Sequence, residues 1–595
     1  PYARYFLKGP KGNEQALGAK LIFFEKGETI TYEQQAVHGF QSSMSGPILI
    51  GLEKAQIDSA LLIWPDQSFQ HITIHPTAVD TLRYTAGLPL FSSAILTGKN
   101  QLQGVNPFSD ITSASGIAYT HTENPFNEFD RETLMPRMIS TEGPALAVAD
   151  INHDGLEDFF IGSSKTFHPK VYLQQSNGKF KEKIQPTLAL DSMWESVDAL
   201  WVDVNGDTHP DLVIATGGNE YYGEDPHLSP LLYLNDGQGN LSKKQAAFPS
   251  VYATQSRVVA ADYNGDGYPD LFLSGRAEPW KYGLSPRSYL LQNDGSGKFI
   301  DVTASVCPDL LNPGLVTSAQ WADLDNDHKE ELLLSYEWGG IDAFVFEKGK
   351  AKKHTVTSAN GWWQDCLPVD VDADGDLDLI ATNFGLNSRL KGDQQKPVQL
   401  YLNDFDDNGT LEQVITYYLN GQEVPFSTKT QLEKRMPSLK KKYLYAADFA
   451  KAKFRELFSK QKLASAKKLQ ADQLGNAVLI NDGKMNFTLI QLPEMAQLAT
   501  YRSAATIQAN ADTLPDLLLM GNFYDYNVEI GRQDADHGTL LINKGKGRFE
   551  VSDLPGLTIE GQVRKIKTIV VKGKPCYLIA RNNASLLLVT QQKVN

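Results

Sequence analysis

Cysteine is scarce in this chain. The three residues, Cys307, Cys366 and Cys576, are far apart and odd in number, which excludes a disulfide framework and a cysteine-based zinc site. They are expected to be small buried hydrophobes. No apolar run reaches the ~18 residues of a membrane-spanning helix, so no span of that kind is expected. His-Glu-x-x-His, Gly-x-Ser-x-Gly and phosphate-loop patterns are missing, and the 11 histidines are scattered. With no catalytic constellation, a protein without enzymatic activity is expected. An acid pair brought together in space stays open, because any two of the 71 acids could converge. Positive charge is in deficit as well: the net charge of -15 argues against a nucleic-acid partner.

What the chain has in quantity is one acidic phrase. In Ala261 to Gly275, ADYNGDGYPDLFLSG, the residues Asp262, Asn264, Asp266 and Asp270 occupy positions 1, 3, 5 and 9 of a short loop, with Gly267 at position 6. Oxygen donors at that spacing suit a hard cation such as calcium. Short apolar runs flank the loop where an EF-hand would have helices, so the reading is a calcium-stapled β-hairpin. The phrase recurs at Asp150, Asn152, Asp154, Asp158 and at Asp203, Asn205, Asp207, Asp211. It recurs again at Asp323, Asp325, Asp327, Glu331, at Asp370, Asp372, Asp374, Asp378 and, as a variant, at Asp404, Asp406, Asn408, Glu412.

Up to six calcium ions are therefore expected. Position 6 needs a residue tolerant of positive φ, which Gly155, Gly267, Gly375 and Gly409 supply. Thr208 and His328 stand there in the loops starting at 203 and 323, which are expected to be less well preorganised. A copy at 508 to 516 has Gln508 in place of the first Asp, and a last one near 564 to 590 keeps the strands without the carboxylates. Second phrases such as LYLNDGQGNL (232 to 241) and LINDGKMNF (479 to 487) read as tight outer hairpins.

Loop starts at 150, 203, 262, 323, 370, 508 and about 564 give seven units of propeller-blade length. The expected fold is all-β: a seven-bladed β-propeller over 109–595 with calcium-binding hairpin loops, a small N-terminal β module over 1–75, a linker over 76–108 and a basic helical insertion over 424–470. A strand from 110–145 is expected to close the ring with the C-terminal blade. Between 429 and 468 there are 13 Lys and Arg against 3 acids, and Thr430 with Glu433 reads as a capping box. That insertion either leans on the acidic propeller or faces an acidic partner.

The first module resembles the ASPIC/UnbV domain through Gly18-Ala19, Ser43 to Leu52 (SMSGPILIGL) and Trp64-Pro65-Asp66. The acidic repeats resemble FG-GAP/VCBS repeats. The whole is similar to large ASPIC/UnbV proteins of Bacteroidota through Asn383-Phe384-Gly385-Leu386-Asn387, Pro286-Arg287-Ser288-Tyr289 and Gly521 to Asp534. The resemblance implies an exported protein at the outer membrane or cell surface, lipid-anchored in its full form. It implies partners in an outer-membrane complex of the SusC/SusD type, with a glycan or peptide as a further ligand. The opening on Pro1 reads as a chain with sequence missing upstream. A glycan lyase or hydrolase, or an adhesin, remain the competing classes, since integrin α-chains share the FG-GAP loop. The expected ligand face collects Tyr221, Tyr222, Trp280, Tyr282, Arg287, Trp338, Asn383, Phe384, Asn387, Tyr524, Tyr526 and Arg532 from the loops after each second strand.

Overall fold

The computed structural model describes residues 2–25, 28–51, 57–75, 79–91 and 108–591. The chain forms two compact units, Pro1–Gln103 and Gly104–Asn595. Most of the expected linker, and Leu52 of the SMSGPILIGL stretch, lie outside the described residues.

The first unit is a small β module. One sheet places Tyr2–Lys8 between Ile48–Gly51, antiparallel, and Val79–Arg83, parallel. The other has the order Glu28–Glu33, Lys20–Glu25, Ser59–Ile63, Phe69–Ile72. Alternation in YARYFLK puts Ala3, Tyr5 and Leu7 inside and their neighbours out. Trp64 is fully buried, edge-on to Tyr84, whose hydroxyl donates to Asp66 at 2.7 Å. The Trp-Pro-Asp stretch thus closes the module's core.

The second unit is built of sheets in series. Seven follow one another, beginning at Leu146–Ala149, Ser196–Val202, Thr254–Ala261, Leu315–Ala322, Asp365–Val369, Tyr501–Ile507 and Gln562–Val571. The first strand of each lies against the first strand of the next, and Gln562–Val571 lies against Leu146–Ala149, so the series returns to its start. Second strands such as Asp211–Thr216, Asp270–Ala277 and Asp516–Gly521 are buried along their whole length. Their apolar runs follow from position: each is covered by the neighbouring sheet on both faces. Apolar clusters fill the spaces between sheets, with Phe160, Ile214 and Tyr233 joining the first pair and Phe159 and Leu578 joining the last sheet to the first.

The closing strand, the insertion's bounds and its capping box differ from expectation. The strand that completes the seventh sheet is Phe108–Asp110, paired with Leu587–Gln591; residues 111–145 instead run across the strand ends. The fourth sheet has three strands, two of them long, Glu331–Glu347 and Lys350–Trp362. The insertion is larger than 424–470. The fifth sheet passes from Asp378–Thr382 directly to Ala477–Ile480, so 383–476 is inserted and contains a further four-stranded sheet as well as five short helices. The capping box at its first helix is Thr428 with Gln431, not Thr430 with Glu433.

Candidate metal loops and a sealed face

The acidic loops join first to second strands in five sheets, and the sixth, at 404–412, lies within the inserted sheet. In each, the position 1 carboxylate gathers backbone N–H groups. Asp262 accepts from Gly265, Asp266 and Gly267 at 2.8, 3.1 and 2.8 Å. Asp203 accepts from Thr208 at 2.7 Å, although Thr208 sits at φ +73° and His328 at +67°. A second left-handed residue precedes position 5: His153, Gly206, Gly265, Asn326, Ala373 and Asp407 all have φ between +57° and +75°. Sequence reading missed it, although Gly206 and Gly265 signal it.

The position 9 acid is more than a candidate ligand. Asp211 is fully buried; one oxygen accepts from the Val204 amide at 3.2 Å and the other from Asn235 at 2.8 Å. Asp158, Asp378 and Asp516 are tied in the same way. Burial, reinforced by the loop's other carboxylates, pushes Asp158 and Asp270 up to about 7 and Asp211 and Asp378 up to about 6. Where position 9 is Glu, the longer arm reaches the others: Asp323, Asp325 and Glu331, and likewise Asp404, Asp406 and Glu412, bring oxygens within 4.8 Å of one another. Asp370, Asp372 and Asp374 form a third such group. Asp323 Oδ1, Asp372 Oδ1 and Asp406 Oδ1 are buried with no hydrogen-bond donor. All-oxygen donor sets with orphaned carboxylate oxygens fit a hard cation.

Two loops are also met by nitrogen donors. Gln508 Nε2 donates to Asp512 O at 2.6 Å and Asn510 O at 3.4 Å, an amide at the place of the first Asp. In the 404–412 loop, Lys462 Nζ donates to Asp404 O at 2.5 Å and to Asp407, and Arg435 lies 3.6 Å from Glu412. At these two points the basic helices meet the acidic loop of the inserted sheet itself.

The Asn of each outer hairpin has a role that hairpin chemistry did not suggest. Asn235 Nδ2 donates to Ile151 O of the preceding sheet's loop at 2.8 Å. Asn293 does so to Val204 O at 2.9 Å, Asn481 to Leu324 O at 2.8 Å and Asn543 to Val371 O at 2.7 Å. Gln174 to Val570 O and Gln591 to Ala509 O extend the pattern across the ends of the chain. Buried carboxamides thus tie successive sheets together at the loop face.

At the opposite strand ends the segment 111–145 makes a seal. Arg137 and Glu142 of that segment meet Arg276, Glu337, Arg502 and Arg564 from four different sheets, all buried. Arg276 bonds both oxygens of Glu142 at 3.0 Å and Glu337 at 2.6 Å, and Arg137 reaches Glu337 at 3.1 Å. Burial raises Glu142, but Arg276, Arg502 and Arg137 overcome it and hold this acid at about 2. Arg502 is pushed down to about 9 by burial. Arg137, Arg502 and Arg564 stand 4.7–5.6 Å from the Phe523 ring. The signal in sequence was arginine beside buried runs, as in LFLSGRA and TYRSAA.

The expected ligand face is corrected by this packing. Tyr282, Trp338, Asn383, Phe384 and Tyr526 are buried. Trp338, Trp362, Phe384 and Tyr526 contact in turn at 5.0, 5.0 and 5.4 Å, and Trp338 Nε1 donates to the Tyr282 hydroxyl. Asn383 caps the amides of Trp362 and Phe384. These side chains are core. Tyr221 stacks on His227 at 4.3 Å and Arg532 lies over Tyr524 at 3.5 Å. Tyr222, Trp280, Arg287, Asn387 and Arg532 are exposed. A cavity of about 490 Å³ between the first strands is lined by Asp198, Arg257, Gln320, Asp365, Ser503 and Lys565 among others. Two charge pairs lie in its lining, Lys565 with Asp198 at 2.7 Å and Arg257 with Asp365 at 3.9 Å, an arrangement suited to small polar ligands or water.

Residues 9–84 match the family described as ASPIC and UnbV, and residues 150–214 and 203–273 match the FG-GAP-like repeat. The chain carries an ASPIC/UnbV domain and FG-GAP-like repeats. No curated protein matches. Among solved structures it is similar to the V. cholerae biofilm matrix protein Bap1 (10% identity, 82% of this chain, 91% of that one, TM-score 0.33). It is similar also to YCF48 bound to D1 peptide (10%, 80% and 100%, 0.36) and to the Dos1 propeller (9%, 78% and 98%, 0.33).

Proposed function

We propose that this FG-GAP repeat protein is a calcium-stapled, seven-bladed β-propeller acting without catalysis, as a binding or accessory component of a bacterial cell-surface complex. The observation that carries the reading is the closed series of seven sheets, tied by carboxamides at one end and sealed by the Arg–Glu cluster at the other. Such a body presents loops on a rigid frame. Calcium, up to six ions, would be held by the first three oxygen positions of each loop, with Glu331 and Glu412 added where they reach, and would neutralise carboxylates that otherwise repel. Export to the outer membrane, lipid anchoring and a SusC/SusD-type partner belong to the same proposal, supported by the resemblance to large ASPIC/UnbV proteins. The test is gentle purification from the native membrane with mass spectrometry of what accompanies the chain. Stoichiometric recovery with an envelope transporter pair is expected; recovery as a lone monomer would refute the accessory role.

One observation favours a glycan-active enzyme as a second reading. Both oxygens of Glu195 and Oε2 of Glu123 are buried without a donor, and His121 Nε2 lies 3.9 Å from Glu123. Burial raises Glu123 to about 8 and holds Glu195 well above the usual carboxylate range, so that both acids favour the protonated form. Glycan turnover abolished by Glu195→Gln would establish it.

A further inference from the structure

We propose that the apex of the helical insertion, Lys440 to Arg455, is a docking surface for an anionic lipid bilayer. The argument begins with the insertion's apolar residues. Leu432, Met436, Leu439, Phe454, Leu457 and Phe458 are buried in one cluster against Tyr401 and Phe405 of the inserted sheet. Leu444 and Tyr445 are not: they stand 68% and 67% exposed, side by side at the turn between the helices Ser438–Lys442 and Ala446–Lys451. The turn is held in place. Tyr443 packs edge-on to Phe449, its hydroxyl donates to Glu456 O at 3.1 Å, and Lys442 Nζ donates to the same carbonyl at 2.5 Å.

Around this apolar pair positive charge predominates. Lys440, Lys441, Lys442, Lys451, Lys453 and Arg455 are all exposed, against Asp448 and Glu456. The insertion's ion pairs use Lys429, Arg435, Arg455 and Lys462. Among the described residues, Lys440, Lys441 and Lys451 have no acidic side chain within pairing distance. Acids within 383–476, namely Asp407, Glu412, Glu423 and Glu433, therefore neutralise only part of the basic charge. A solvated charge run would not need two neighbouring large apolar residues at its centre. A bilayer surface uses both: phosphate groups meet the ammonium groups while Leu and the amphipathic Tyr enter the boundary of the acyl layer. This inference does not depend on what the propeller binds.

The test uses the full chain with calcium and vesicle flotation, comparing phosphatidylcholine alone with a mixture containing roughly a third phosphatidylglycerol. Binding is expected only to the anionic vesicles, and at least tenfold weaker at ~0.5 M than at ~0.05 M salt. Lys440→Glu with Lys441→Glu and Lys451→Glu is expected to weaken it at least tenfold. Leu444→Ser with Tyr445→Ser, which leaves the charge unchanged, is expected to weaken it about fivefold or more. These side chains are all exposed, and unchanged melting will show that the variants fold. In the Tyr445→Trp variant, emission is expected to shift to the blue with anionic vesicles and not with soluble dextran sulfate. Equal binding to neutral vesicles, full binding by the serine variant, or the same shift with dextran sulfate would each overturn the proposal, the last pointing to a soluble polyanion instead.

Discussion

Asn293→Ala breaks one tie between sheets without touching an acidic loop's own carboxylates. The Asn293 amide donates to Val204 O at 2.9 Å and Pro269 O at 3.1 Å, and its Oδ1 accepts from Gly295 N at 3.0 Å. The side chain is 3% exposed, so water does not replace what is lost. Leaving two buried carbonyls unsatisfied costs about 1–3 kcal/mol each, partly relieved by relaxation, and we expect a total of about 2–4 kcal/mol. Asn293→Asp should cost at least as much, because it sets a carboxylate oxygen against the same carbonyls. Gln292→Ala, at the neighbouring half-buried position, should cost under about 0.5 kcal/mol. The assay is urea unfolding in saturating calcium, followed by pulse proteolysis so that aggregation of the unfolded chain does not obscure the midpoint. Asn293→Ala within about 0.5 kcal/mol of the parent would refute the claim that carboxamides bind successive sheets.

Other perturbations have expected signs. Chelation should lower the melting temperature, since each site contributes about 2.7 kcal/mol when free calcium is ~100 times its dissociation constant; scanning calorimetry with and without chelator measures this. Thr208→Gly relieves a β-branched residue at φ +73° and should raise calcium affinity of that loop a few-fold, read by titration calorimetry. Gln508→Asp removes the amide donor and restores a position 1 carboxylate beside Asn510, Asp512 and Asp516. The variant should be less stable than the parent in chelator, recover in calcium, and bind one more ion by elemental analysis. Glu123 has its proton affinity raised to about 8 by burial, so the folded state holds a proton that the unfolded state releases near pH 4.5. Its contribution is fully present below that pH and is lost as pH rises toward 8. Glu123→Gln should therefore be more stable than the parent by about 2–4 kcal/mol at pH 8 and gain nothing at pH 4.5, measured by urea unfolding at both values.

Much of the fold was legible because repetition exposes it. Six phrases in frame gave the loop positions, and the buried second strands appear in the sequence as uninterrupted runs such as DLFLSG. The fully buried Asp211 was legible as an acid but not as a loop clasp, because its partners, Val204 and Asn235, are backbone amides with no sequence signature. The insertion boundary failed for a similar reason. Strands 398–403 and 412–419 look like blade strands, and only long-range pairing of Asp378–Thr382 with Ala477–Ile480 sets them apart. The ligand face failed most. Phe384 and Tyr526 follow second strands as recognition residues do and Trp338 lies within the long strand Glu331–Glu347, yet the segment 111–145 covers this end of the sheets and turns them into core. Nothing local in the sequence announces that a preceding segment will lie over them.

The measurement that tests the account most directly is metal content with linked stability. The full chain is stripped with chelator, equilibrated in calcium, separated from free ion and assayed by elemental analysis and melting. The account predicts several calcium ions per chain, up to six, and a melting temperature that falls when they are removed and returns when they are restored. Less than one ion per chain, with melting unchanged by chelation, would contradict it.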